Sequence, residues 1–274
     1  MTLTERRLRF RKVLEGKDCI FPASVHDAVS ARIAESLGFE ICMLAGSTAS
    51  AAVLGAPDLV VLTLTEFAEQ ARRITRYSSL SLMVDADHGY GNALNVMRTV
   101  EELEAAGVCA LTIEDTLLPQ PFGRGKSEEL ISVEELSGKL KGALEARQDP
   151  SLVIVGRTSA PRIGGMGVAV ARAKACAETG VDAVFFVGVK SREEVEAIRQ
   201  ATALPIILGT IPQSLSDRSF LGDHGVRIAL QGHVPFQTTV KSLYETYKHL
   251  QEGGFPADLK DQAASSDLMK LALR

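Results

Sequence analysis

The sequence lacks most of the features that would assign it quickly. It has four cysteines, Cys19, Cys42, Cys109 and Cys176, and no pair of them is spaced as a metal or redox motif requires. Three lie in apolar strand-like runs and Cys176 in a helical pattern, which reads as small buried hydrophobes in a reducing cytoplasm. No apolar stretch approaches the roughly 20 residues of a membrane helix, and the charged N-terminus lacks the apolar core of a secretory signal. A cytoplasmic protein with no membrane contact is therefore expected. Positive charge is not in excess: 30 Lys and Arg stand against 34 Asp and Glu, a net charge of −4, which gives no field to draw in nucleic acid. The one basic cluster, Arg6, Arg7, Arg9, Arg11 and Lys12, reads as the solvated face of a first helix with Leu8, Val13 and Leu14 on its other side. No linker or low-complexity segment divides the chain, so residues 1–274 read as one domain, with 252–274 as a C-terminal tail. Gly164-Gly165-Met166-Gly167 is followed by no Lys–Ser/Thr pair, so it reads as a flexible glycine-rich loop rather than a phosphate loop.

What the chain does have is ample apolar material, 46% of its residues, arranged in a repeating order. Short apolar runs at 19–23, 40–45, 80–85, 108–114, 152–156, 183–187, 206–208 and 226–230 predict strands. Helical patterns at 27–37, 65–77, 92–106, 133–145, 168–179, 192–201 and 213–221 separate them, and a last helix is predicted over 238–251. Gly38, Gly107 and Gly180 each stand between a helix and the next strand, where positive φ is useful. Near-continuous apolar strands imply a sheet buried on both faces, hence parallel. Eight βα repeats in this length fit a closed (β/α)₈ TIM barrel of the α/β class better than an open doubly wound sheet, although strand count alone leaves the open sheet standing.

In a barrel, chemistry belongs at the C-terminal ends of the strands. Gly46, Ser47 and, further on, Asp58 follow the second strand. Asp85 and Asp87 end the third in VDADHGYGN, and Glu114 and Asp115 end the fourth. Arg157 follows the fifth in LVIVGRTSA, and His233 the eighth in ALQGHVPF. In extended chain, residues i and i+2 face the same side, so Asp85 and Asp87 would crowd one spot unless a cation or proton sits there. With Asp58 and Glu114 they make an oxygen-only pocket of the kind Mg²⁺ prefers; the alternative is a pair of Asx turns ahead of Gly89 and Gly91. Arg157 suits a substrate carboxylate or a developing enolate oxygen, or else a salt bridge to one of the acids. His233 is either a proton-moving group or an ordinary histidine at a helix start. Ser47 opens a small-residue turn whose N–H groups could hold a carboxylate, or it is an N-cap. His26 and His88 read equally well as polar loop residues.

Four segments together resemble the isocitrate lyase / phosphoenolpyruvate mutase superfamily: LAGSTASAAVLGAPD (44–58), VDADHGYGNALNVMRTVEELEAAGVCALTIEDTLLPQPFGR (84–124), VGRTSA (155–160) and LQGHVPF (230–236). Within it, the histidine at 233 looks most similar to the metal-dependent oxaloacetate decarboxylases. The resemblance implies a (β/α)₈ barrel assembled as a homotetramer, with C-terminal helices exchanged between paired subunits. It implies Mg²⁺, or Mn²⁺ in its place, at Asp85, with Asp58, Asp87 and Glu114 contacting the ion's waters. It places substrate contacts on Gly46 and Ser47, on Arg157 and on His233, with Arg157 and His233 as the catalytic pair.

One loop discriminates among members. Isocitrate and methylisocitrate lyases carry KKCGH after the fourth strand, with the Cys as acid; here 119–129 reads PQPFGRGKSEE, with neither Cys nor His. Relatives also carry Asp or Asn where this chain has Ser159. The expected activity is decarboxylation of oxaloacetate, an α-keto acid, to pyruvate and CO₂ through a metal-stabilised enolate. The alternatives are phosphonomutase or hydrolase chemistry on phosphonopyruvate or carboxyphosphoenolpyruvate, C–C cleavage of a 2-hydroxy diacid, and a non-catalytic barrel.

Overall fold

A computed structural model describes residues 1–123 and 128–273. Residues 124–127, inside the discriminating 119–129 loop, lie outside the described residues. Eight strands form one parallel sheet in sequential order: β1 Ala23–Ser24, β2 Ile41–Leu44, β3 Ser81–Asp85, β4 Ala110–Glu114, β5 Val153–Thr158, β6 Ala183–Phe186, β7 Ile206–Leu208 and β8 Val226–Ala229. A parallel bridge between Ile20 and Ile228 joins the two ends of the sheet, carried by Ile20 N–H to Arg227 O at 2.9 Å and Ala229 N–H to Ile20 O at 3.0 Å. The ring therefore closes, as expected, and the open sheet is excluded.

Among the described residues the α-helices are α1 Leu3–Glu15, α2 Ala28–Ser36, α3 Gly46–Leu54, α4 Leu64–Tyr77, α5 Ala93–Ala105, α6 Val133–Ala146, α7 Ala160–Ile163, α8 Gly165–Thr179, α9 Arg192–Ala201, α10 Arg218–Asp223, α11 Val234–Gln251 and α12 Ser266–Ala272. Their starts follow local chemistry. Thr2, Asp27, Thr63, Asn92, Ser132 and Ser191 each accept a first-turn N–H with the side chain. Gly38, Gly107 and Gly180 hold φ of 87°, 88° and 89°, as their positions predicted.

The strands divide their side chains by parity. Ile41 and Met43, Val153 and Val155, Ala183 and Phe185, Ile207 and Ile228 pack inside the barrel. Their neighbours Cys42, Leu44, Ile154, Val184, Phe186 and Leu208 pack outward under the helices. Helix α1 supplies Phe10 and Leu14 to the inner cluster, so it plugs one end of the ring.

That plug corrects the reading of the basic cluster. Its arginines are not a solvated face. Arg7 is 4% exposed; it gives Nε to Val108 O at 3.0 Å, Nη2 to Glu104 O at 2.7 Å and Nη1 to Asp149 at 2.7 Å. Arg11 reaches Leu152 O at 3.0 Å and Asp182 at 2.9 Å, and Arg9 reaches Ser81 Oγ at 3.0 Å. Ser81, Val108 and Leu152 lie where β3, β4 and β5 begin, Asp182 directly precedes β6 and Glu104 is in the last turn of α5, so guanidinium forks tie element ends together at the bottom of the barrel. Leu8, expected on the buried side, is exposed. Val13 and Leu14 do face inward as expected, but hydropathy missed that paired arginines share that face with them and with Phe10.

Other differences are local. The first strand lies about three residues later than predicted. The small-residue run after β2 is helix α3, which has no amphipathic period to reveal it. The 164–167 segment is not a loop but the junction of α7 and α8. The 213–221 pattern splits into a 3₁₀ turn, Gln213–Leu215, and α10. The tail folds back, and α12 packs against α2 of its own chain.

Arg7→Ala removes a buried cation and strands the acceptors around it. It should lower the free energy of unfolding by about 3 kcal/mol, read as a shift in urea midpoint at unchanged m-value.

Candidate active site

The parity that fills the barrel with apolar residues turns polar in its last layer. Asp85 follows Met83, Glu114 follows Thr112 and Ala110, and Arg157 follows Val155, each on the inward-facing register. Cross-strand pairing sets Asp85 beside Thr112, Glu114 beside Arg157, and Arg157 beside Phe185. Arg157 Nη1 pairs with Asp85 Oδ2, and Nη2 lies 3.2 Å from Glu114 Oε2. The guanidinium carbon sits 5.5 Å from the Phe185 ring centroid, which supports it from the next strand. Thr112 Oγ1 donates to Asp85 Oδ1 at 3.0 Å. The salt-bridge reading of Arg157 is thus correct, and it places the cation between two strand-end acids.

Asp87 joins them by a different route from the one predicted. It is not in extended chain: its φ is +47°, in the left-handed region that Asp tolerates better than most residues. Asp87 N–H donates to Asp85 Oδ1 at 3.2 Å, an Asx-type turn, while Asp87 O accepts from Glu114 N–H at 2.8 Å. The turn and the cluster therefore coexist. Gly46, the first residue of α3, completes the packing: a Cβ there would stand 3.0 Å from both Asp87 carboxylate oxygens. Ser47 and Thr48 follow in the first turn of α3, so neither is an N-cap, and the N-terminal N–H groups of that helix begin beside Asp87.

The electrostatics follow from this crowding. Burial first, then the charges of Asp85, Glu114 and Asp58, hold the Asp87 carboxyl well above the usual range, with Arg157 opposing. Burial pushes Glu114 up to about 7; Arg157 opposes this and Asp85 adds to it. Asp58 is solvent-exposed at the rim, yet partial desolvation and the Asp85 charge raise its carboxyl too. Glu114 Oε2 is buried without a well-aligned hydrogen bond, and so is Arg157 Nε. Four acids against one guanidinium leave three negative charges uncompensated when all are ionised. Such an oxygen-only set suits a hard cation, although among the described residues no three His, Cys, Asp or Glu side chains form a complete ligand set.

The remaining candidates sort clearly. Asp115 turns away from the mouth and pairs at 3.0 Å with Arg172, while its Oδ1 accepts from Ser159 N–H at 3.3 Å; it braces the β5–α7 turn. His233 stands at the start of α11, with Nδ1 2.9 Å from Ser24 Oγ at the end of β1. Burial lowers its pKa, and of the site charges that act on it Asp85 opposes and Arg157 adds to this. His88 is buried, and burial together with the Lys139 ammonium brings it down to about 4. Lys139 Nζ donates to the His88 carbonyl at 3.2 Å. His26 packs edge-on against Phe236 at 5.2 Å. The base of the 119–129 loop is cinched by the Thr116–Leu130 bridge and by an ion pair of Glu128 with Arg162.

Sequence reading missed Ser24, Thr112 and Tyr90. Thr112 was legible by parity from Glu114. Ser24 was hidden by placing the first strand too early. Tyr90 takes φ of +61° in the same turn, where burial and the acids beside it raise its phenol strongly.

The model of the family described as phosphoenolpyruvate phosphomutase matches residues 10–251. The chain belongs to that family. A relative from Bradyrhizobium diazoefficiens named oxaloacetate decarboxylase is 53% identical over 274 residues, covering 100% of this chain and 94% of its own. A phosphonopyruvate hydrolase solved with oxalate and Mg²⁺ superposes with a TM-score of 0.85 at 27% identity, covering 97% of this chain and 94% of that one. A 2,3-dimethylmalate lyase, a member of the PEP mutase/isocitrate lyase superfamily, superposes with a TM-score of 0.84 at 28% identity, with 98% and 94% covered. The family thus spans several reactions on one barrel.

The raised Glu114 gives a signed prediction for the metal-free protein. Its folded carboxyl binds a proton more tightly than the unfolded one, from 4.5 up to about 7. Its contribution to stability is therefore present below pH 4.5 and is lost as pH rises to 7. In excess chelator, Glu114→Gln should flatten that part of the stability–pH curve and match or exceed the wild type at pH 8, as measured by urea titration.

Proposed function

We propose that this protein decarboxylates oxaloacetate to pyruvate and CO₂ with a hydrated divalent cation, Mg²⁺ or Mn²⁺, held at Asp85. The observation that carries the reading is the arrangement of Arg157 between Asp85 and Glu114 at one end of the barrel, in a chain 53% identical to a named oxaloacetate decarboxylase. The donor set fits such an ion: a buried Glu114 oxygen lacks an aligned partner, burial and the neighbouring acids push the Asp87 carboxyl well above its usual range, and a cation would relieve both. Asp85 would be the direct ligand, and Asp58, Asp87 and Glu114 would accept hydrogen bonds from the ion's waters. When bound, the ion supplies Lewis acidity that draws electron density toward the substrate's keto oxygen.

The chain's own residues do the rest. Arg157 offers positive charge where an enolate oxygen develops as the C3–C4 bond breaks. The N–H groups that begin α3, at Gly46 and Ser47, suit the retained carboxylate. Burial favours the neutral form of His233, which orients the keto or enolate oxygen by a hydrogen bond. The proton that C3 needs comes from water, because the described part of the 119–129 loop offers no Cys or His acid. Lacking a fixed acid, the site favours simple loss of CO₂ over stereospecific C–C cleavage.

Assembly enters the same proposal. Helix α11 has no buried residue, and Val240, Leu243, Tyr244 and Tyr247 are exposed along it. This favours a homotetramer in which copies cover that helix, and sedimentation velocity should return a species about four times 29.4 kDa.

Purified protein with oxaloacetate and Mg²⁺ should release pyruvate and CO₂ above the metal-only background, and chelator should abolish the excess. Asp85→Ala and Arg157→Ala should each lower the excess rate at least roughly 100-fold; retention by either removes its assigned role. A new phosphate signal by ³¹P NMR with phosphonopyruvate, or glyoxylate from a 2-hydroxy diacid, would move the protein to another branch of the family.

A further inference from the structure

We propose that Ser24 is a positioning residue that fixes the tautomer of His233, leaving Nε2–H as the hydrogen-bond donor of that ring. Ser24 is the last residue of β1, and its Oγ lies 2.9 Å from His233 Nδ1, the one hydrogen-bond partner its side chain has among the described residues. A hydroxyl can donate or accept, but its one proton has no acceptor other than Nδ1 among the described residues, which favours donation to the ring. An imidazole whose Nδ1 accepts carries its proton on Nε2, across the ring.

The surroundings keep the ring uncharged, which the assignment requires. His233 is the N-cap of α11, beside the positive end of an 18-residue helix. Burial disfavours the charged ring most, Asp85 opposes this and Arg157 adds to it, and the net direction is toward neutrality. Pro235 at the second position of α11 has no N–H, so it cannot compete as a donor to the ring. The bond also has an architectural meaning. Ser24 stands on β1 and His233 follows β8, so the contact crosses the seam at which the barrel closes, on the same pair of segments that the Ile20–Ile228 bridge joins.

A neutral ring with Nε2–H can only donate from that edge. It can hold a keto or enolate oxygen, and it cannot act there as a base. What the donor does in turnover rests on the decarboxylase reading; the tautomer itself does not.

The test therefore has two arms. Long-range ¹H–¹⁵N spectra of the uniformly labelled full chain at neutral pH, with the His233 signals assigned by their loss in His233→Gln, should show an unprotonated Nδ1 and a protonated Nε2. Ser24→Ala should shift His233 toward a tautomer mixture, and Ser24→Thr, which keeps the hydroxyl, should retain the wild-type pattern. In the kinetic arm, Ser24→Ala should lower kcat by roughly 5- to 30-fold, as loss of one half-buried hydrogen bond does, with KM for oxaloacetate nearly unchanged, and Ser24→Thr should recover most of the rate. A protonated Nδ1 in the wild type, or a Ser24→Ala spectrum identical to it, would overturn the proposal. A wild-type enzyme with no oxaloacetate turnover would sink the decarboxylase reading instead and leave the spectra to decide the tautomer.

Discussion

A single guanidinium set among carboxylates governs the open end of this barrel. Without Arg157, three acids on adjacent strands would face one another at close range with little water to screen them. With it, Asp85 and Glu114 have a fixed counter-charge, and the deficit that remains is local and of one sign. The fold holds Arg157 in register on β5 and supports it on Phe185, so the cation is part of the scaffold as much as of the site. A structural ion pair and a cation-binding pocket are here the same group of atoms, seen with different numbers of charges present.

The two ends of the barrel use arginine in opposite ways. At the bottom, Arg7 and Arg11 meet enough carbonyls and carboxylates to be satisfied, and the ring is sealed by Phe10. At the top, Arg157 is outnumbered. Stability is concentrated where polar groups are complete, and chemistry where they are not, which is the division of labour expected of this fold.

Much of this was legible in the sequence, for identifiable reasons. Strands β2 to β8 announced themselves because both faces are buried, which makes the runs apolar throughout. The acids and Arg157 stood out as charges directly after such runs. Periodicity failed where the chemistry was not hydrophobic patterning: α1 is buried through arginines, α3 is a helix of small residues, and α8 begins in glycines that look like a loop. Asp115 was named beside Glu114 as a strand-end acid but not placed in the pocket, and adjacency along the chain alone says nothing about side. Glu114 faces in and Asp115 faces Arg172, one residue apart. The Asp85–Asp87 pair was expected together for the wrong reason, since a left-handed turn and not the strand pleat joins them.

The seam between the first and last strands is the thinnest part of the ring. Strand β1 has two residues, and a lone bridge at Ile20 ties it to β8. The hydroxyl that orients the site's imidazole hangs on that same joint. Warming that loosens the joint would let the imidazole rotate while the other seven strands still hold their ladder. Heat inactivation would then set in at a lower temperature than loss of secondary structure.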